Sequence, residues 1–137
     1  LTERPPSAGL LDTSVFIAKE DGRPLGELPE RVAVSVVTIG ELQLGVLNAE
    51  DDSTRARRAE TLALSRAADP ILISEAVMVS WARIVADCKA AGIHRTIKLT
   101  DTLIAATAVE RGLPVVSQDT DYEKMASAHS ALRVLLV

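Results

Sequence analysis

Asp12, Glu41, Asp101 and Asp119 are four acids spread along the chain, each placed where a fold presents a side chain rather than hides it. Asp12 ends the apolar run Gly9-Leu10-Leu11, and Asp119 lies two residues past Leu113-Pro114-Val115-Val116-Ser117. Glu41 and Asp101 each fall in the first turn of a helix that the pattern predicts. Carboxylates gathered in one place repel one another unless something positive joins them. No Cys/His cluster accompanies these acids. An all-oxygen site of this kind suits a hard divalent cation such as Mg²⁺ or Mn²⁺.

The elements that must position them alternate between strand and helix. Gly9 to Asp12 reads as a short apolar strand, with Thr13 or Ser14 capping a helix through Val15, Phe16, Ile17 and Ala18. Asp21-Gly22-Arg23-Pro24 breaks that helix. Val32 to Val36 is rich in β-branched residues and reads as a strand. Thr38 is expected to open a helix with Ile39, Leu42 and Val46 at helical spacing. Ser53 is expected to cap a third helix, ended by Asp69-Pro70, with Ile71-Leu72-Ile73 extended after it. Ser74 caps the clearest helix, on which Val77, Trp81, Ile84, Val85 and Cys88 form one apolar stripe. Gly92 stops it. Thr100 is expected to cap a helix from Asp101 to about Arg111, stopped by Gly112. Strands follow at Val115 to Ser117 and Leu132 to Val137, with a short helix around Tyr122 to Ala128 between them.

This alternation predicts the α/β class: a three-layer α/β/α sandwich with a mainly parallel central sheet. No repeat, linker or low-complexity segment divides the chain, so residues 1–137 are expected to form a single domain, with 1–8 a flexible N-terminal extension. In open α/β sheets ligands bind beyond the carboxyl ends of the strands, and the helices that follow those strands start at the same edge. That rule brings the four acids to one crevice. Asp101, Ala105 and Ala108 share a helix face that small residues let approach the sheet, and Gly45 is expected to do the same beside Glu41. Each acid alone also has a structural reading. Thr38 and Glu41 fit a capping box, Asp101 suits the positive end of its helix, and Asp12 and Asp119 suit turns.

Bulk properties narrow the class further. The chain has 137 residues and 47% hydrophobic residues, yet its only aromatics are Phe16, Trp81 and Tyr122. Its core must therefore be aliphatic, as in a buried parallel sheet. A net charge of −4 argues against long-range attraction to nucleic acid, though not against a local basic patch. The single cysteine, Cys88, leaves no internal disulfide and fits a reducing, cytoplasmic compartment. No apolar run is long enough to cross a bilayer, so no membrane role is expected.

Four stretches taken together resemble the PIN-domain ribonucleases, most closely the VapC toxins of bacterial and archaeal toxin–antitoxin pairs. They are Leu11-Asp12-Thr13-Ser14-Val15, Ser35-Val36-Val37-Thr38-Ile39-Gly40-Glu41-Leu42, Asp101-Thr102-Leu103-Ile104-Ala105-Ala106-Thr107-Ala108 and Val116-Ser117-Gln118-Asp119-Thr120-Asp121-Tyr122. The resemblance spans Leu10 to Val137. It implies a metal-dependent endoribonuclease in which Asp12, Glu41, Asp101 and Asp119 match the acidic positions around one or two Mg²⁺ or Mn²⁺ ions. Asp12, Asp101 and Asp119 are expected as metal ligands, Glu41 as a ligand or as the group that positions water. Asp121 matches a further acid that contributes variably. Thr13, Ser14 and Ser117 are expected to orient carboxylates or water. Tyr122 stands where Phe is commoner.

The resemblance also implies partners: an RNA substrate, a cognate VapB-type antitoxin and a second copy of the chain in a homodimer. Arg95 and Lys98, close before Asp101, are candidate phosphate contacts. Arg55, Arg57, Arg58 and Arg66 read better as an ordinary solvated face, and His94 and His129 as surface residues. The alternative function is a PIN-like module that binds RNA or protein without cutting. A receiver domain is disfavoured because Leu10-Leu11 rather than acids precede Asp12, and a haloacid-dehalogenase-type phosphatase because position 14 is Ser.

Overall fold

The computed structural model describes residues 4–137. Its four strands form one sheet in the order β2-β1-β3-β4. They are β1 (Ala8–Leu11), β2 (Arg31–Val34), β3 (Val115–Ser117) and β4 (Val134–Leu136), and every pair runs parallel. The helices are α1 (Thr13–Glu20), α2 (Val36–Leu47), α3 (Asp52–Arg66), α4 (Glu75–Ala90), α5 (Leu99–Arg111) and α6 (Asp121–Ala128), with a 3₁₀ turn at His94–Thr96.

The alternation of side chains along a strand builds the two faces. Leu10, Val115 and Val134 point to a core shared with Ile84, Ile104 and Met125 of α4, α5 and α6. Their neighbours Leu11, Val116 and Leu135 point the other way, against Val15 and Phe16 of α1 and the Leu25–Leu28 segment. This gives the expected three layers. Leu10, Ile84 and Ile104 are fully buried, and each such aliphatic side chain contributes about 1.5–3 kcal/mol. Gly9 is required where β1 is flanked on both sides: a Cβ there would come within 2.6 Å of Val116 Cγ2. Gly112 ends α5 in the left-handed region at φ +66.

Several boundaries differ from the sequence reading, and most of the differences concern caps. Asp12 itself caps α1, accepting from Ser14 N, so neither Thr13 nor Ser14 does. The second strand stops at Val34 and Ser35 caps α2, one turn before Thr38. Thr38 is therefore inside the helix, the capping box with Glu41 does not exist, and Glu41 lies in the second turn. The β-branched run favours extension locally, but the Ser35 side chain satisfies Val37 N and helical packing prevails. Asp51, not Ser53, caps α3 through Thr54 N. Ser74 caps α4 as expected. α5 starts after Lys98 with no side-chain cap, so Thr100 lies within its first turn.

Of Ile71-Leu72-Ile73, only Ile71 forms a bridge, with Ser35. The last strand is confined to Val134–Leu136. Ser7 and Ala8, expected in the loose extension, join the sheet edge: Ser7 O accepts from Arg31 N at 3.0 Å and Ala8 pairs with Arg31. Leu1 to Glu3 of that extension lie outside the described residues. Gly45 does not serve the sheet. It lies near the Arg58 side chain of α3, at a distance where a Cβ would fit. His129 is half-buried rather than on the surface, with Nδ1 2.7 Å from Asp87 Oδ2.

Candidate metal and active site

The parallel register places the ends of β1 and β3 side by side, with Leu11 opposite Val116. The next residues on both strands enter the same crevice. Asp12 is buried and held from three directions. Its Oδ2 accepts from Ser117 Oγ at 3.0 Å and from Ser14 N at 3.3 Å, and its Oδ1 accepts from Tyr122 Oη at 2.8 Å. It is thus both a helix cap and a crevice residue, so the structural and functional readings of Asp12 coexist.

Ser117 spends its one proton on Asp12 and accepts Asp119 N at 2.8 Å. The 3.2 Å contact between Ser14 Oγ and Ser117 Oγ is then donated by Ser14, which itself accepts Gln118 N. These hydroxyls link β3 to the start of α1. Across the crevice, Thr13 Oγ1 donates to Glu41 Oε1 at 2.7 Å and lies 3.0 Å from Thr38 Oγ1. Thr13 therefore orients Glu41, and Ser14 and Ser117 orient the loop carrying Asp119.

Asp101 comes from the first turn of α5 and is 6% exposed. Its carboxyl is pushed up to about 6 from an ordinary 3.8, first by burial and then by the charges of Asp12, Asp119 and Glu41. Asp12 is linked to Asp101 through Tyr122 Oη, Asp119 presents an oxygen within 4.8 Å of Asp101, and the charge of Glu41 is felt there as well. Asp101 Oδ1 lies 3.3 Å from Tyr122 Oη, while Asp101 Oδ2 is buried and, among the described residues, has no hydrogen-bond partner. A buried carboxylate oxygen left without a donor is costly. Asp101, Asp119 and Asp121 each present an oxygen within 4.8 Å of the others. An orphaned anionic oxygen amid further carboxylate oxygens, with no nitrogen or sulfur ligand, fits a hard divalent cation. Burial and the two neighbouring carboxylates push the Tyr122 phenol upward, so it stays a neutral donor.

A family model described as the PIN domain matches residues 9–128, which include every one of these acids. The chain belongs to the PIN-domain family. This PIN domain is 68% identical over 108 residues to Ribonuclease VapC8 of Mycobacterium tuberculosis, covering 79% of this chain and 96% of the relative. It is 42% identical over 127 residues to Ribonuclease VapC5 of the same species, covering 91% and 93%. Among solved structures, that of VapBC-5, a member of the VapBC family of toxin–antitoxin systems from Mycobacterium tuberculosis, superposes with a TM-score of 0.85. The identity there is 36%, over 96% of this chain and all of that one. The Rickettsia felis VapBC2 structure, at 15% identity and a TM-score of 0.75, shares the fold.

The basic residues of this PIN domain divide by position. Arg95 and Lys98 are exposed, in the 3₁₀ turn and at the start of α5, and among the described residues neither forms an ion pair. Arg55 pairs with Asp52, and Arg66 reaches Gln43, as a solvated face would have it. Arg57 is also exposed and ion-paired, whereas Arg58 is half-buried and does not fit that description. Both line a groove of about 420 Å³ between α1, α2 and α3 that opens beside Glu41. Arg58 donates to Gly45 O, and Arg57 lies 3.7 Å from Glu20, whose side chain is buried. The sequence reading also passed over Thr38 and the hydroxyl of Tyr122. The available signal was the placement of a polar-tipped aromatic directly after Asp121, since a buried Tyr hydroxyl finds a partner. Among the described residues no helix is long and apolar enough to cross a membrane.

Proposed function

We propose that this PIN domain is a metal-dependent endoribonuclease and the toxin of a type II toxin–antitoxin pair, acting as a single domain in the cytoplasm. The observation that carries the reading is the buried, unpartnered Oδ2 of Asp101 facing a crevice of acids. The names and assemblies of its relatives, ribonucleases and a toxin–antitoxin complex, support it.

Asp101, Asp119 and Asp121 would hold a Mg²⁺ or Mn²⁺ ion, with Asp12 beside Asp101 completing the acidic surround. Such a cation supplies charge neutralisation and a more acidic water when bound. The chain's own residues prepare the site for that. Ser117, Ser14 and Tyr122 fix Asp12, and Thr13 holds Glu41 where it can accept a proton from water or orient it. No His or Cys takes part. Arg95 and Lys98, exposed near the start of α5, would meet the phosphates of a bound RNA. The antitoxin and a second copy of the chain are the protein partners in this reading. Leu44, Leu47 and Leu64 are large exposed hydrophobics on α2 and α3 that such contacts would cover.

The test is incubation of the purified protein, freed of any antitoxin, with structured RNAs in Mg²⁺ or Mn²⁺. Cleavage that stops with EDTA, and that Asp12→Asn lowers by orders of magnitude, is the expected result. Cleavage indifferent to EDTA overturns the mechanism. Tight RNA binding with no cleavage of any RNA at saturating metal would favour the non-cleaving module.

A further inference from the structure

Tyr122 is fully buried on α6, with its ring in the main core. Its hydroxyl reaches out of that core between two acids, 2.8 Å from Asp12 Oδ1 and 3.3 Å from Asp101 Oδ1. Packing alone would be met by a ring without oxygen. The oxygen has a more specific effect. Each of these carboxylates has two oxygens, and Tyr122 lies against one oxygen of each. The second oxygen of Asp12 is taken by Ser117 Oγ and Ser14 N. The second oxygen of Asp101 is taken by no donor among the described residues. The single phenol proton is shared unequally, chiefly with Asp12 and more weakly with Asp101 Oδ1, and the Asp101 oxygen turned away from it is the one that stays free.

We propose that Tyr122 is a positioning residue whose hydroxyl clamps the inner oxygens of Asp12 and Asp101 and so leaves Asp101 Oδ2 set for a divalent cation before the ion arrives. The inference rests on the reading of the crevice as a cation site. Without the clamp, Asp101 and Asp12 lose a shared donor and repel more freely, and the ion must order them as it binds. Partners that orient ligands in this way govern metal affinity by about 10- to 100-fold in other sites.

The experiment compares wild type with Tyr122→Phe, which removes one oxygen and keeps the ring. Mn²⁺ binding is measured by calorimetry, and RNA cleavage is measured across a Mg²⁺ series. The dissociation constant for Mn²⁺ and the Mg²⁺ midpoint are expected to rise together by about tenfold. The rate at saturating Mg²⁺ should return to within about threefold of wild type, a rescue by metal that a packing role would not give. Mn²⁺ affinity unchanged in the variant overturns the inference while leaving the cation site standing. Failure of wild type to take up Mn²⁺ overturns both.

A second readout needs no variant. Tyr122 is the only tyrosine in the chain. Titrating wild type with Mg²⁺ should give a saturable tyrosine difference spectrum with the midpoint of the activity curve, and a flat tyrosine signal overturns the inference even if Tyr122→Phe fails to fold.

Discussion

Thr13 and Glu41, separated by 28 positions in the chain, are joined by a 2.7 Å hydrogen bond from the threonine hydroxyl to the glutamate. The contact ties the first turn of α1 to the second turn of α2 and holds one carboxylate oxygen of Glu41 against the residue that follows Asp12. Thr13→Val keeps the shape and deletes the donor. It should lower the RNA cleavage rate about tenfold, within the range typical of residues that orient a reacting group. The double variant Thr13→Val/Glu41→Gln should then be no slower than Glu41→Gln alone, because the threonine acts through the glutamate. Additive losses in the double-mutant cycle would show that Thr13 works by another route.

Asp101 makes a prediction about stability and pH in the metal-free protein. Its carboxyl titrates near 6 in the fold against an ordinary 3.8. Between those values the folded chain keeps a proton that the unfolded chain has released. The group's stabilising contribution is therefore fully present below about pH 4 and is lost as pH rises through about 6. The loss is on the order of 3 kcal/mol at its full extent. With EDTA present, wild type should melt at a lower temperature at pH 8 than at pH 5, and Asp101→Asn should remove much of that difference. The N-terminus of α5 favours the charged Asp101, which offsets that loss by about 0.3–1 kcal/mol. A melting profile that is the same in both proteins would contradict the crowding of acids around Asp101.

Asp119 and Asp121 should separate by kind rather than by degree. The resemblance ranks Asp121 below Asp119, yet both present an oxygen close to Asp101. Asp121 already shares Oδ1 with Lys124 Nζ at 3.2 Å, whereas Asp119 accepts Asp121 N at 2.9 Å and belongs to the loop that Ser117 anchors. Asp119→Asn should abolish cleavage at any Mg²⁺ concentration. Asp121→Asn should raise the Mg²⁺ needed by about tenfold and leave the saturated rate near wild type. A Mg²⁺ titration of both variants decides this, and equal, unrescued losses would refute the distinction.

The sequence carried the crevice better than it carried the boundaries. Asp12 and Asp119 were legible because each follows an apolar strand, and strand ends in a parallel sheet share an edge. Asp101 was legible from the helix pattern that follows it. Glu41 was placed by a local argument that the structure corrects. Its helix begins a turn earlier, at Ser35, because the β-branched Val36 and Val37 are recruited into α2 by tertiary packing that local propensity does not register. Which acceptor each hydroxyl takes was not legible. Ser117, Thr13 and Tyr122 are each within reach of two or more partners, and distances of a few tenths of an ångström decide among them.

The strand order β2-β1-β3-β4 sets when the crevice can exist at all. β1 is made first but lies beside β3, and Asp12 waits for a hydrogen bond from Ser117, 105 positions later, and from Tyr122, 110 positions later. A ribosome adding about 5–20 residues per second needs roughly 5–20 s to cover that interval. Until then the nascent chain holds its acids as separate, unassembled segments. No chemistry that needs the assembled crevice is available to the nascent chain before Tyr122 has been made.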